Sequence, residues 1–225
     1  MPYSSLLERF LQLLFPDRCA TCRRVGTLFC ANCQAQLVPY QPDDRALPAS
    51  LSQVHIVYSF QSPLREAIHQ LKYRNNQRIA SALGSLLATH IAKQPPIFDA
   101  VAAIPLHATR QATRGFNQAE ALARTVAKAR GLPLLVGPIV RLRDTAQQAT
   151  QANAQARAEN MRDAFAWAAA SPPPSRLLLV DDVYTTGATM AACATALLAA
   201  GALRTIVSEC DCEGCISAAK DALAA

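Results

Sequence analysis

Leu177-Leu178-Leu179-Val180-Asp181-Asp182-Val183-Tyr184-Thr185-Thr186-Gly187-Ala188-Thr189 is the stretch that decides how this chain folds. Four aliphatic residues in a row suit a parallel strand covered on both faces. The run ends in two carboxylates, then a hydroxyl-rich turn, then an alanine-rich stretch that predicts a helix over 188–200. Such a helix aims its free N–H groups and the positive end of its dipole back at the turn. Thr185, Thr186 and Thr189 add hydroxyl donors, and Gly187 lets the backbone approach a ligand closely. Together with Val183, Tyr184 and Ala188 they read as a phosphate cradle. Asp181 and Asp182 beside it suit sugar hydroxyls or a hydrated cation. Neighbouring side chains on a strand point to opposite faces, so both aspartates serve one site only if the chain is already turning at Asp182. A buried strand followed by an ordinary N-capped helix is the plainer reading of the same residues.

Composition frames this strand–turn–helix unit. A chain of 225 residues holds one sizeable core and a small appendage. With 51% hydrophobic and 17% charged residues, a largely disordered protein is excluded. No apolar run approaches the ~20 residues that a membrane span needs. The apolar stretch over 6–15 is interrupted by Glu8, Arg9 and Gln12, and no small-residue cleavage site follows it. A cytoplasmic location is the expectation.

The chain has eight cysteines, and four of them form two C-x-x-C knuckles, Cys19/Cys22 and Cys30/Cys33, seven residues apart. In a chain without a secretory signal, this spacing favours a metal over disulfides. Four soft ligands and no histidine indicate structural zinc in a closed tetrahedral shell, and the segment is too poor in apolar residues to fold without it. A redox pair is the alternative, but a thioredoxin-like motif would not be duplicated so closely. A divalent ion on four thiolates takes the formal charge from +6 to +4, which suits phosphorylated ligands without being a nucleic-acid signature. Arg18, Arg23 and Arg24 around the knuckles form a solvated face or touch a nucleic-acid backbone. Cys210, Cys212 and Cys215 near the C-terminus read as reduced thiols or, with Cys193, as ligands of a second metal; Cys193 by itself reads as core.

Ser5 and Glu8 form a capping box that opens a short N-terminal helix. The polar, proline-bearing stretch over 39–48 reads as a linker. Beyond it the pattern predicts an edge strand over 54–60, helices over 63–73 and 79–93, and a strand over 98–104. A helix over 117–130 and a strand over 134–140 follow. A Gln/Ala-rich region over 144–158 leads on to the strand that ends at the aspartates. Strands alternating with helices argue for an α/β domain with a parallel sheet and right-handed crossovers.

Ligands of such a sheet bind beyond the carboxyl ends of its strands. That rule draws attention to Pro105 and His107, where an earlier strand ends, and to Arg110 and Arg114, read as two guanidinium groups on a loop able to clamp a pyrophosphate. Gly115 permits a tight turn, and Asn117 can cap the next helix.

The acidic pair with its Thr-Thr-Gly-x-Thr turn resembles the 5-phosphoribosyl-1-pyrophosphate (PRPP) loop of type I phosphoribosyltransferases. The chain also has the four-cysteine module, Leu71-Lys72-Tyr73-Arg74, Pro105-x-His107 and Arg114-Gly115-Phe116-Asn117-Gln118, in that order. This set is similar to the ComF family, also called the GntX family, over roughly residues 15–208. The resemblance implies a zinc-binding module over 1–45 and a type I phosphoribosyltransferase-like domain over 50–225. It further implies that Asp181 and Asp182 hold ribose hydroxyls and order Mg²⁺ with PRPP. By the same resemblance, residues 185–189 bind the 5′-phosphate, Val183 and Tyr184 belong to the same substrate site, and Arg110, Arg114, Lys72 and His107 face the pyrophosphate. Two functions stay open: transfer of a phosphoribosyl group to an acceptor, or a non-catalytic PRPP-sensing or competence role with nucleic acid or DNA-uptake machinery as partner. Departures from the family pattern are the Ala/Gln-rich middle segment and the cysteine-bearing tail.

Overall fold

The computed structural model describes residues 16–41, 47–73, 77–93, 98–144, 163–184 and 187–209. The N-terminal capping box, Thr185, Thr186, most of the Gln/Ala-rich segment and Cys210, Cys212 and Cys215 lie outside them.

The sheet is built around β6 (Arg176–Val180), the strand on which the sequence reading rests. Five strands run parallel in the order β1 (Gln53–Ile56), β7 (Arg204–Glu209), β6, β2 (Ala100–Ala103) and β3 (Leu134–Leu135). Leu177, Leu178, Leu179 and Val180 are all fully buried, because both faces of the sheet are covered. Alternation divides them. Leu178 and Val180, with Val101 of β2, enter a core built from α2 (Leu64–Tyr73), α3 (Ile79–Ala92) and α5 (Gln118–Arg130). Leu177 and Leu179, with Ala100 and Ala102, enter a second core under α6 (Ala188–Ala199). At ~2 kcal/mol for each large aliphatic side chain removed from water, this one strand anchors both layers.

Beyond its strand residues, the edge strand's chain does not stay with the sheet. Tyr40 N–H donates to Val57 O at 3.2 Å and Ser59 N–H to Val38 O at 2.9 Å, which stitches down the first part of the expected linker. The strand expected over 134–140 is two strands. Gly137, at φ +94°, and Pro138 break it. Leu134–Leu135 stays in the main sheet, while β4 (Ile139–Arg141) pairs antiparallel with β5 (Phe165–Trp167) in a separate ribbon. Ile139 and Phe165 pack that ribbon into the second core.

The four-cysteine module shares the first core. Cys19, Ala20, Phe29, Cys30, Cys33 and Leu37 are buried in one cluster with Leu64, Ile68 and Leu71 of α2. Its short helix α1 (Ala31–Gln34) holds Cys33. Polar ties fix the joint: Gln70 Nε2 donates to Ala20 O at 2.9 Å, and Thr21 Oγ1 to Pro63 O at 3.1 Å. Arg78 grips Asp17 with both Nη atoms at 2.6 and 2.8 Å. Among the described residues, no helix is long and apolar enough to cross a membrane.

Candidate functional site

The strand β6 stops at Val180 and the backbone bends at Asp182, the turn that a site shared by both carboxylates requires. Asp182 N–H donates back to Asp181 Oδ1 at 2.9 Å. Asp182, 8% exposed, receives Lys72 Nζ at 3.0 Å on Oδ2. Lys72 comes from the last turn of α2, across the first core. Burial alone would pull its ammonium pKa down; Asp182, with Asp181 adding, outweighs this and holds it above the ordinary value, against Arg114.

Asp181 meets a different set of neighbours. Burial first, then the charge of Asp182, push its carboxyl up to about 7, although the Asp182 N–H, Lys72 and Arg141 oppose this. Cys193, buried on α6, has its thiol raised well beyond the ordinary range by burial first and Asp181 second. Cys193 is thus a core thiol, as its apolar neighbours predict, and the three tail cysteines it was weighed with lie outside the described residues.

On the far side of the bend, Gly187 sits at φ +73° just before α6. A Cβ there would lie 2.7 Å from Cζ of Tyr184, so only glycine lets the buried Tyr184 ring pack against this turn. The Tyr184 side chain belongs to the second core. Val183, Ala188 and Thr189 are partly buried around the same turn.

The end of β2 lies level with the end of β6, joined by Ile104 N–H to Val180 O at 3.0 Å. Pro105 and His107 follow, both partly buried. Arg110 and Arg114 are not on a loop. They lie on α4 (Ala108–Arg114), which His107 caps by accepting from Thr109 N–H and Gly115 ends at φ +77°. A spacing of four residues puts the two guanidinium groups on one side of that helix. Arg114 Nη1 donates to Oε1 of Gln118, a side chain 1% exposed, at 3.3 Å. Asn117 ties the motif to the sheet, accepting from Ala119 N–H at 3.0 Å and donating to Ile104 O at 2.9 Å.

Two residues that sequence reasoning missed complete the cleft. Asp144 Oδ1 lies 3.0 Å from Arg110 Nη2, and its Oδ2 accepts from Thr109 Oγ1 at 2.9 Å. Arg141, at the end of β4, lies with its guanidinium 5.3 Å from the centre of the Phe165 ring. Burial and then Arg110 pull its pKa down, while Asp181, Asp144 and Cys193 pull it up. Only a charge ending an apolar strand signalled Arg141 in the sequence. Nothing local signalled Asp144, whose partners lie about thirty-five positions upstream.

The four cysteines gather as their spacing predicts. Their sulfurs all lie within 4.8 Å of one another, with Cys19–Cys33 at 3.7 Å and Cys22–Cys30 at 3.6 Å. A tetrahedron with Zn–S bonds of ~2.3 Å has sulfurs about 3.8 Å apart, so the donor set and its spacing fit zinc. Cys30 N–H also points at Cys19 Sγ, at 3.5 Å. Burial opposes ionisation of Cys19, but the N–H groups of Cys30, Cys22 and Thr21 bring its thiol down to about 6.

An open parallel α/β sheet, a cluster of charged side chains at the carboxyl ends of β2 and β6, and a fused four-cysteine centre able to hold zinc define the class of this protein. No protein-family model matches the chain. DNA utilization protein YhgH of Salmonella typhi is 32% identical over 192 residues, covering 82% of this chain and 84% of that protein. Competence protein F of Haemophilus influenzae is 30% identical over 187 residues, covering 76% and 80%. Competence protein ComFC of Bacillus subtilis is 29% identical over 159 residues, covering 70% and 63%. The crystal structure of TT1426 from Thermus thermophilus matches 64% of this chain and 78% of that one at 19% identity, with a TM-score of 0.38. The chain belongs to the ComF family of competence-related proteins.

Proposed function

We propose that the cleft binds PRPP or a closely related ribose phosphate with Mg²⁺, and that the protein transfers the phosphoribosyl group to an acceptor with release of pyrophosphate. The observation that carries this reading is the mixed-charge cluster at the strand ends. The Asp181–Asp182 pair faces Lys72 and Arg141, Arg114 is a further cation near Lys72, and the glycine turn of α6 follows the pair. Asp181 and Asp182 would hold the ribose hydroxyls and, through them and the ligand's own oxygens, a magnesium ion. The raised Asp181 carboxyl fits that assignment, because a cation or a pair of hydroxyl donors favours its ionised form. Magnesium, when bound, would neutralise part of the pyrophosphate charge. Residues 185–189 would take the 5′-phosphate, and Arg110, Arg114 and His107 the leaving pyrophosphate, whose developing charge is the chief target for catalysis of this reaction type. Lys72, held by Asp182, would position the acidic pair and add positive charge to the same face.

The four cysteines would hold structural zinc. We place the protein in the cytoplasm, where PRPP is made and thiols stay reduced. A second reading follows from the relatives, whose names concern DNA utilization and competence. In it the ribose-phosphate cleft senses its ligand without turnover, and the protein acts through nucleic acid or DNA-uptake partners.

Isothermal titration of PRPP with Mg²⁺ into wild type and into the Asp181→Asn/Asp182→Asn variant tests the ligand assignment. Binding by wild type with at least a tenfold loss in the variant is expected. Well-folded wild type that takes up no PRPP would falsify it.

A further inference from the structure

Asp144 has no place in the ligand assignment above, yet it sits among the residues given to the leaving anion. Its carboxylate meets Arg110 Nη2 at 3.0 Å, Thr109 Oγ1 at 2.9 Å and His107 Nδ1 at 3.8 Å. It is also one of the charges felt by Arg141. A carboxylate held by a guanidinium and a hydroxyl has the contacts that one end of a pyrophosphate would make. Two guanidinium groups that repel each other, Arg110 and Arg141, have it as a shared negative neighbour. The pairing is also loose. Asp144 is 44% exposed, so its ion pair contributes little and the carboxylate is readily rehydrated on leaving the seat.

We propose that Asp144 is an internal competitor at this site: its carboxylate occupies the anion seat of Arg110 and Thr109, beside His107, in the free protein, and an incoming anion must displace it. This inference rests on the ribose-phosphate reading of the cleft. Its physical basis is competition within one chain. A tethered carboxylate has a high effective concentration at the seat, so any incoming anion must displace it. Displacement costs each such anion the same free energy, so Asp144 weakens phosphate and pyrophosphate by a similar factor, and pyrophosphate keeps the advantage of its greater charge and its additional acceptor oxygens. Had Asp144 served only to orient Arg110, its loss would weaken anion binding instead, so the two roles differ in sign.

The test is titration of inorganic pyrophosphate, and separately of inorganic phosphate, into wild type, Asp144→Asn and Asp144→Glu in the presence of Mg²⁺. Thermal melts of all three proteins confirm that they are folded. Asp144→Asn should bind pyrophosphate on the order of fivefold more tightly, about the effect of one exposed ion pair. Its affinity for phosphate should rise by a similar factor, since both anions displace the same carboxylate. Asp144→Glu, which keeps the charge, should stay near wild type. Wild type that binds pyrophosphate while Asp144→Asn binds it equally or more weakly overturns the inference and leaves the ligand reading standing. Failure of both proteins to bind pyrophosphate overturns the ligand reading and this inference with it.

Discussion

Asp181 concentrates the conflict between folding and function at one side chain. Burial and the neighbouring Asp182 push its carboxyl from an ordinary 3.8 to about 7. Between those values the folded protein holds a proton that the unfolded chain has lost. Stability therefore falls as pH rises from about 4 to about 7, and the full penalty remains above that range. Asn keeps the shape and removes the charge. The Asp181→Asn variant should be more stable than wild type by about 2 kcal/mol at pH 8 in the absence of ligand, a figure discounted for the coupling with Asp182. That gain should shrink steadily below pH 7 and vanish near pH 4. Urea unfolding of both proteins across this range is the measurement, and a gain independent of pH would show that ionisation of Asp181 is not its source. A stabilised protein with a weakened ligand site is what a strained binding residue leaves behind when removed.

At the scale of elements, legibility followed the locality of the signal. The strand at 177–180 and its helix were readable because burial on two faces and the turn after them are written in consecutive residues. The helix bounds at 64–73, 79–92 and 118–130 followed from periodicity and from Asn117 as a cap. The short α4 was mistaken for a loop, since its polar sequence lacks a buried face and only the His107 and Gly115 caps define it. The 134–140 stretch looked like one strand because its apolar residues outweighed Gly137 and Pro138. Of the charged cluster, Asp181 and Asp182 after β6, Lys72 on α2 and the two arginines after β2 stand out in the sequence. Asp144 and Arg141 became part of it only through the fold. Another contact invisible to sequence lies between α3 and α5. A Cβ on Gly84 would stand 2.6 Å from Cβ of Thr125 and 3.1 Å from Leu122 O. In an isolated helix, alanine would gain about 1 kcal/mol over glycine. Here the helices would have to separate, and overpacking of about 1–3 kcal/mol opposes that gain. Gly84→Ala should therefore lower the melting temperature, and a higher one would mean that the two helices part without resistance.

For the whole molecule, the decisive question is whether the metal module is an appendage or part of the main core. Its buried residues Cys19, Phe29, Cys30, Cys33 and Leu37 share one apolar cluster with α2 and α3, and the Arg78–Asp17 clamp and the Gln70 bond reinforce the joint. Helix α2 also carries Lys72, the partner of Asp182 in the cleft. If zinc sets the geometry of the four sulfurs, removing it loosens the floor on which α2 packs, and the damage spreads to the sheet. We therefore expect about one zinc per chain by elemental analysis. Chelation, or Cys33→Ser, should give a single cooperative melt displaced downward by roughly 10 °C or more, since each kcal/mol moves a domain of this size by about 2–4 °C. A module that folded independently would instead give two transitions, with the main one unmoved. The same treatment should weaken PRPP binding, because Lys72 would lose the packing that aims it at Asp182. Zinc-free protein with an unchanged main transition and unchanged ligand affinity would separate the two halves of the molecule and overturn this coupling.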